Sequence, residues 1–358
     1  MSLNGILKSA VGAAALLVAC GAVAAPKGVT VNVAPEKNAL GQDEDVVVKV
    51  TITNNSGAPQ YVLKSRTPFE GMEHPLFDIK RDGQDVAYLG ALVKRGAPTQ
   101  ADYFLLKPGA SHSVKVELSA LYDMSVSGDY QISYKTNSPQ LFLGAEAGSA
   151  SMASGPASVW IDGRVARGQK SQVVLDLEAM KAAPSQPSAG GLSFSRCTTS
   201  QQSAVISAMS AATNMASDSD AYMTRGVIGS RYTKWFGTST STRVAKVKTN
   251  FVAIKDAFVN KPVTVDCGCN KTYYAYVYPT QPYKIYVCKA FWSAPLTGTD
   301  SKGGTLVHEM SHFNAVAGTD DNVYGQAGAA NLAITNPDLA VQNADSHEYF
   351  SENTPALN

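Results

Sequence analysis

The chain has 358 residues, a formal net charge of +1 and only 16% charged side chains, so it lacks the strong basic or acidic field that recruits nucleic acid. Its 44% hydrophobic content suits globular domains and excludes wholesale disorder, and the length leaves room for two domains.

The N-terminus reads as a secretion signal. Lys8 precedes the apolar run AVGAAALLVACGAVAA, too short for a membrane span, and Ala22-Val23-Ala24 fits the small-x-small rule for signal cleavage. Residues 1–25 are therefore expected to be a signal peptide and the chain to be secreted. Leu17-Val18-Ala19-Cys20 offers a competing reading, a lipoprotein box with the lipid on Cys20. No later run reaches membrane-spanning length. Beyond the signal, four cysteines remain: Cys197, Cys267, Cys269 and Cys288. An even number in an exported chain implies two disulfides, and three pairings are open from sequence alone.

Residues 26–165 read as all-β. VVVKVTITNN (46–55) alternates Val46, Val48, Val50 and Ile52 on one face before an Asn-Asn-Ser-Gly turn. VTVNV (29–33), HSVKVEL (112–118), DYQISYK (129–135) and ASVWIDG (157–163) are further strands, and the pattern predicts an immunoglobulin-like sandwich. His74 and His112 are isolated and read as surface or packing histidines. Residues 166–193 end in a Pro/Ser/Gly/Ala stretch without periodicity, the composition of an exposed, cleavable linker.

Residues 194–358 read as α+β and mainly helical. Helices are expected over 200–223, 243–259 and 305–318, the last closed by Gly318. Strands are expected at 273–279 and 284–292 around the Gln281-Pro282 turn, and a final helix interrupted near Asn336-Pro337.

The 305–318 segment holds His308-Glu309-Met310-Ser311-His312. Residues i and i+4 share a helix face, so both imidazoles can address one metal, with Glu309 placed to take a proton from a metal-bound water. A catalytic zinc needs a third protein ligand. Ala315 and Gly318 stand where a metzincin would need glycine and histidine, which excludes that family. Glu348, Asp320 and Asp321 remain as candidate third ligands.

The stretch after the helix resembles a known family. HExxH followed by Gly318-Thr319-x-Asp321-x-x-Tyr324-Gly325 is similar to the signature of the aspzincins, the deuterolysin family of metalloendopeptidases. NADSHEYF (343–350) resembles the N-A-D-x-x-E segment of its peptidyl-Lys members, with His347 in place of the more usual aromatic. The resemblance covers roughly residues 195–358. It implies a zincin-type metalloprotease domain holding one catalytic Zn2+ on His308, His312 and Asp321. Glu309 is then the general base, and Tyr324 the hydrogen-bond donor to the oxyanion. It further implies an acidic pocket, Asp345 and Glu348, that receives a substrate lysine on the prime side, and the pairing Cys197–Cys267 and Cys269–Cys288.

Two functions follow from these readings. The first is a secreted zinc endopeptidase made as a zymogen, monomeric, acting on protein or peptide substrates. Its β-sandwich is a pro-domain that inhibits intramolecularly until the linker is cut before Lys170 or Lys181. The alternative is a non-enzymatic exported binding protein whose C-terminal domain is a relic. A caseinolytic assay with and without chelator separates the two.

Overall fold

The computed structural model describes residues 28–144, 150–162, 186–187 and 191–358. The expected signal peptide, with Cys20, and most of the expected linker, with Lys170 and Lys181, lie outside the described residues. Among those described, the chain is α+β, with strands and two short 3-10 turns in the N-terminal half and helices on a mixed sheet in the C-terminal half.

Alternation dictates the N-terminal half. Val46, Val48, Val50 and Ile52 are all essentially buried, and strand Val47–Asn54 pairs antiparallel with Val29–Pro35 on one side and Ser111–Glu117 on the other. A second sheet is centred on Gly128–Ser138, flanked by Ala157–Ile161 and Phe77–Arg81. Its Tyr130, Ile132 and Tyr134 share one apolar core with the first sheet. Each such buried side chain stabilises the fold by about 1.5–3 kcal/mol.

The C-terminal sheet runs Leu192–Ser195, Val263–Asp266, Lys284–Val287, Ala275–Val277, the first three parallel and the last antiparallel. Leu92–Lys94, from the N-terminal half, completes this sheet by pairing antiparallel with Ala275–Val277. Local patterning gives no hint of that pairing, because its partners lie some 180 residues apart. Against the sheet pack three longer helices. Thr199–Arg225 starts at a capping box between Thr198 and Gln201 and stops at Gly226, whose φ of 73° suits a residue without Cβ. Ser241–Asn260 is capped by Thr240, and Lys302–His312 by Ser301. Cys197 pairs with Cys267 and Cys269 with Cys288, tying the ends of the strands to the first helix and to Lys289–Ser293.

Two expectations about elements change. The apolar run 284–292 is strand only over Lys284–Val287. After Cys288 it turns into the helix Lys289–Ser293, since a short apolar run has no period that separates the two. The HExxH helix ends at His312 rather than Gly318, because the chain must turn back over that histidine. Gly318, at φ 60°, sits in the turn instead. The final helical stretch is divided into Gln326–Thr335, Pro337–Ala340 and Ala344–Glu352. No helix among the described residues is long and apolar enough to cross a membrane.

Candidate active site

The helix Lys302–His312 is locked at its start. Ser301 Oγ accepts from Gly304 N at 2.9 Å, while the Glu352 carboxylate accepts from Ser301 N and Oγ at 2.7 and 2.8 Å. Gly304 permits this closeness, since a Cβ there would stand 2.1 Å from Glu352 Oε1. Every residue from Gly303 to His312 is buried, which fixes the rotation of the helix and aims His308, Glu309 and His312 inward.

His308 and His312 meet Asp321 at one point. Asp321 Oδ1 lies 3.0 Å from His308 Nε2 and 3.4 Å from His312 Nε2, and the two Nε2 atoms are 3.1 Å apart. The other ring nitrogens decide what this means. His312 Nδ1 is 2.7 Å from the Thr319 carbonyl, which can only accept, so Nδ1 carries the proton. His308 Nδ1 faces Asp345 Oδ1 at 2.9 Å and Glu348 Oε2 at 3.1 Å, and donates likewise. Both Nε2 atoms then face each other and one buried carboxylate, the arrangement in which they can bind a metal once deprotonated. Against the opposing effect of burial, the Asp321 carboxylate draws positive charge to this point, raising the pKa of both histidines while they hold its own well below the ordinary value. A cation bound by the two Nε2 atoms and Oδ1 meets the same demand, so the donor set fits a divalent metal.

The GTDDNVYG loop is held by backbone and side chain together. Thr319 Oγ1 bonds Ser311 Oγ at 2.6 Å, Asp320 bridges to Asn343, and Asn343 Oδ1 accepts from Asn322 N and Val323 N at 3.0 and 3.1 Å. This turns the Asp321 side chain toward the histidines. Asp320 stays outside the cluster, half-buried. Asp345 Oδ2 accepts from Gly325 N at 2.6 Å, which joins the loop to the final helix.

Glu309 is buried, and neither carboxylate oxygen has a hydrogen-bond partner. Burial pushes its carboxyl up to about 7, while His308 and His312 pull it down. Tyr324 is buried too, with its hydroxyl 3.1 Å from the Val93 carbonyl. Asp345 and Glu348 are fully buried and hold Lys94, whose Nζ is 2.5 Å from Glu348 Oε2 and 3.8 Å from Asp345 Oδ1. Burial opposes the Lys94 charge, but the surrounding carboxylates outweigh it and raise its pKa well above the ordinary value.

His347 belongs to the core rather than to the pocket. Its Nδ1 donates to the Asn343 carbonyl at 2.9 Å and its Nε2 accepts from Asn250 Nδ2 at 2.9 Å, between the rings of Phe236 and Phe251. Burial lowers it to about 4, so it stays neutral. His112 packs against Phe69 and Phe104, as a packing histidine does. His74 is not isolated. It is buried against Arg66, whose guanidinium donates to the carbonyls of Asp321 and, at 3.1 Å, Asn322. No sequence pattern pointed to Lys94, Arg66 or Asp300 at this site, since each reaches it through long-range packing.

Comparison with known proteins gives the chain's relatives. The aspzincin family model, described as lysine-specific metallo-endopeptidase, matches residues 221–352. An "Extracellular protease" from Aeromonas hydrophila is 49% identical over 327 residues, covering 89% of this chain and 91% of that protein. The "Peptidyl-Lys metalloendopeptidase" of Grifola frondosa is 34% identical over 347 residues, covering 94% of this chain and 95% of that one. A solved "Zinc peptidase from Grifola frondosa" is 45% identical, covers 45% of this chain and all of its own, and gives a TM-score of 0.43.

Proposed function

This chain belongs to the aspzincin family of metalloendopeptidases, and from that premise we propose that it is secreted, made as a zymogen, and cuts peptide bonds on the N-terminal side of lysine. The observation that carries this reading is the convergence at His308. Three potential ligand atoms meet there, an unpartnered carboxylate stands beside them, and two more carboxylates lie within 3.1 Å of its other nitrogen.

His308, His312 and Asp321 would hold Zn2+, which when bound supplies Lewis acidity to the scissile carbonyl and the attacking water. Glu309 takes the proton of that water and returns it to the leaving amine. Its burial supports this, because a carboxylate denied hydrogen bonds is a stronger base than one in water. Tyr324 donates a hydrogen bond to the carbonyl oxygen as charge develops on it. Asp345 and Glu348 receive the lysine ammonium, and the same two carboxylates hold the Nδ1 proton of His308. The pocket that selects the substrate therefore also orients a metal ligand.

Residues 26–165 act as the pro-domain, an immunoglobulin-like sandwich that assists folding and covers the cleft, and residues 166–193 are the linker cut on activation. Membership of a metalloendopeptidase family leaves the non-enzymatic binding protein without support. Mapping the cleavage products of a denatured protein by mass spectrometry tests the specificity: new N-termini should begin with lysine and vanish with chelator. A broad set of new N-terminal residues would refute the lysine preference. N-terminal sequencing of the active species should give a start within 165–195, and a start elsewhere rejects the linker assignment.

A further inference from the structure

The strand Leu92–Lys94 makes the backbone and side-chain contacts of a peptide held by strand addition. It adds antiparallel to the edge strand Ala275–Val277, with Lys94 opposite Ala275, Val93 opposite Tyr276 and Leu92 opposite Val277. Peptide recognition by strand addition works this way, with main-chain bonds for affinity and alternate side chains for specificity. The Val93 carbonyl accepts from the Tyr324 hydroxyl at 3.1 Å, and the next residue sends its ammonium into the Asp345–Glu348 pocket. The Val93–Lys94 peptide bond thus lies between the proposed oxyanion donor and the proposed lysine pocket. Lys94 Nζ also lies 3.6 Å from Asp300 Oδ1 and 5.0 Å from the centre of the Tyr274 ring. Asp300 is held in place by the Tyr349 hydroxyl, 2.7 Å away. On the far side, Arg95 stacks on Tyr273 at 4.4 Å and pairs with Glu73.

Electrostatics makes this arrangement exchangeable. Lys94, Asp345 and Glu348 are fully buried. Among the described residues, removing the Lys94 ammonium leaves two desolvated carboxylates with only the His308 ring and the Gly325 N–H as partners, a costly state. A pocket vacated by Lys94 therefore recruits another ammonium.

We propose that Leu92–Arg95 occupies the cleft as a substrate does, with Val93 at P1 and Lys94 at P1′, and that Asp300 is the third carboxylate of the lysine pocket. The N-terminal half then holds the enzyme latent by filling the subsite that chooses its substrates. This rests on the lysine-pocket reading above.

The test uses the full chain in the Glu309→Gln background, which keeps it uncut, loaded with zinc and probed by fluorescence anisotropy with a labelled peptide carrying one internal lysine. Lys94→Ala should bind the peptide at least tenfold more tightly than the chain with Lys94 intact, while Lys94→Arg should stay closed. Equal affinities in the Ala variant and its parent overturn the proposal. Lys94→Met, which keeps the length of the side chain, serves where the Ala variant does not fold. Adding Asp300→Asn to Lys94→Ala should weaken binding of the lysine peptide at least threefold but leave its norleucine analogue unaffected. Equal changes for both peptides remove Asp300 from the pocket. Cleavage mapping separates the two levels. An enzyme that cuts before lysine while Lys94→Ala stays closed refutes only the latency strand. An enzyme indifferent to lysine refutes the pocket on which the strand depends.

Discussion

His308 and His347 are both buried, stand on two packed helices, and each donates its Nδ1 proton to an oxygen. They differ at the other nitrogen. His347 Nε2 receives the amide of Asn250 between two phenylalanine rings, whereas His308 Nε2 faces a second imidazole nitrogen, His312 Nε2, and the Asp321 carboxylate. The difference teaches how a structural histidine is told from a ligand: by whether the last lone pair is already satisfied. Burial alone, or a carboxylate nearby, does not make the distinction.

Four experiments break or sharpen that contrast. Glu309→Ala removes the base beside the ligand histidine but none of its neighbours, so kcat/KM should fall by about 10²–10⁴ with zinc content unchanged by elemental analysis. Loss of zinc along with activity would instead make Glu309 part of the metal site. His308→Ala should weaken zinc more than ~100-fold in a chelator competition, while His347→Phe leaves zinc affinity as it is. If both variants lose zinc, the comparison of lone pairs is wrong.

The third experiment reads the core histidine by pH. Its folded pKa, about 4, is depressed below the ordinary 6.5, so the unfolded chain takes up a proton between those values that the fold refuses. Stability from this group is complete above pH 6.5 and is lost as pH falls toward 4, by up to about 3 kcal/mol. Denaturant titrations at pH 7 and 4.5 should show a smaller pH-dependent loss for His347→Phe than for wild type, and an equal loss would remove His347 as its source. The smallest effect belongs to Asp345→Asn. It weakens the hold on His308 Nδ1–H and should cost ~10–100-fold in zinc affinity, together with selectivity for lysine. Lost selectivity with unchanged zinc binding would separate the two roles of this carboxylate.

The sequence made much of this legible, for identifiable reasons. Helix and strand periods are local, so the cores of Thr199–Arg225, Ser241–Asn260 and Val47–Asn54 could be read from side-chain spacing. His308, Glu309 and His312 share one helix face by the same geometry. Asp321 needed the family pattern, because only the turn over His312 separates it from Asp320. Lys94 could not be found. LVKRG carries no motif or clear period, and its meaning comes from a distant sheet edge, the strand Ala275–Val277. Asp300, Arg66 and His74 were hidden for the same reason, since no local period connects them to the residues they touch.

The borrowed strand has a consequence for solubility. While Leu92–Lys94 is in place, the backbone of Ala275–Val277 is paired on both sides. If the N-terminal half departs as proposed, that strand becomes an open sheet edge, the kind of surface on which one chain templates another into aggregates. The proposed release would open the cleft and bare this edge in the same event. An incoming peptide that pairs with Ala275–Val277 would protect the enzyme from its own copies for as long as it stays bound.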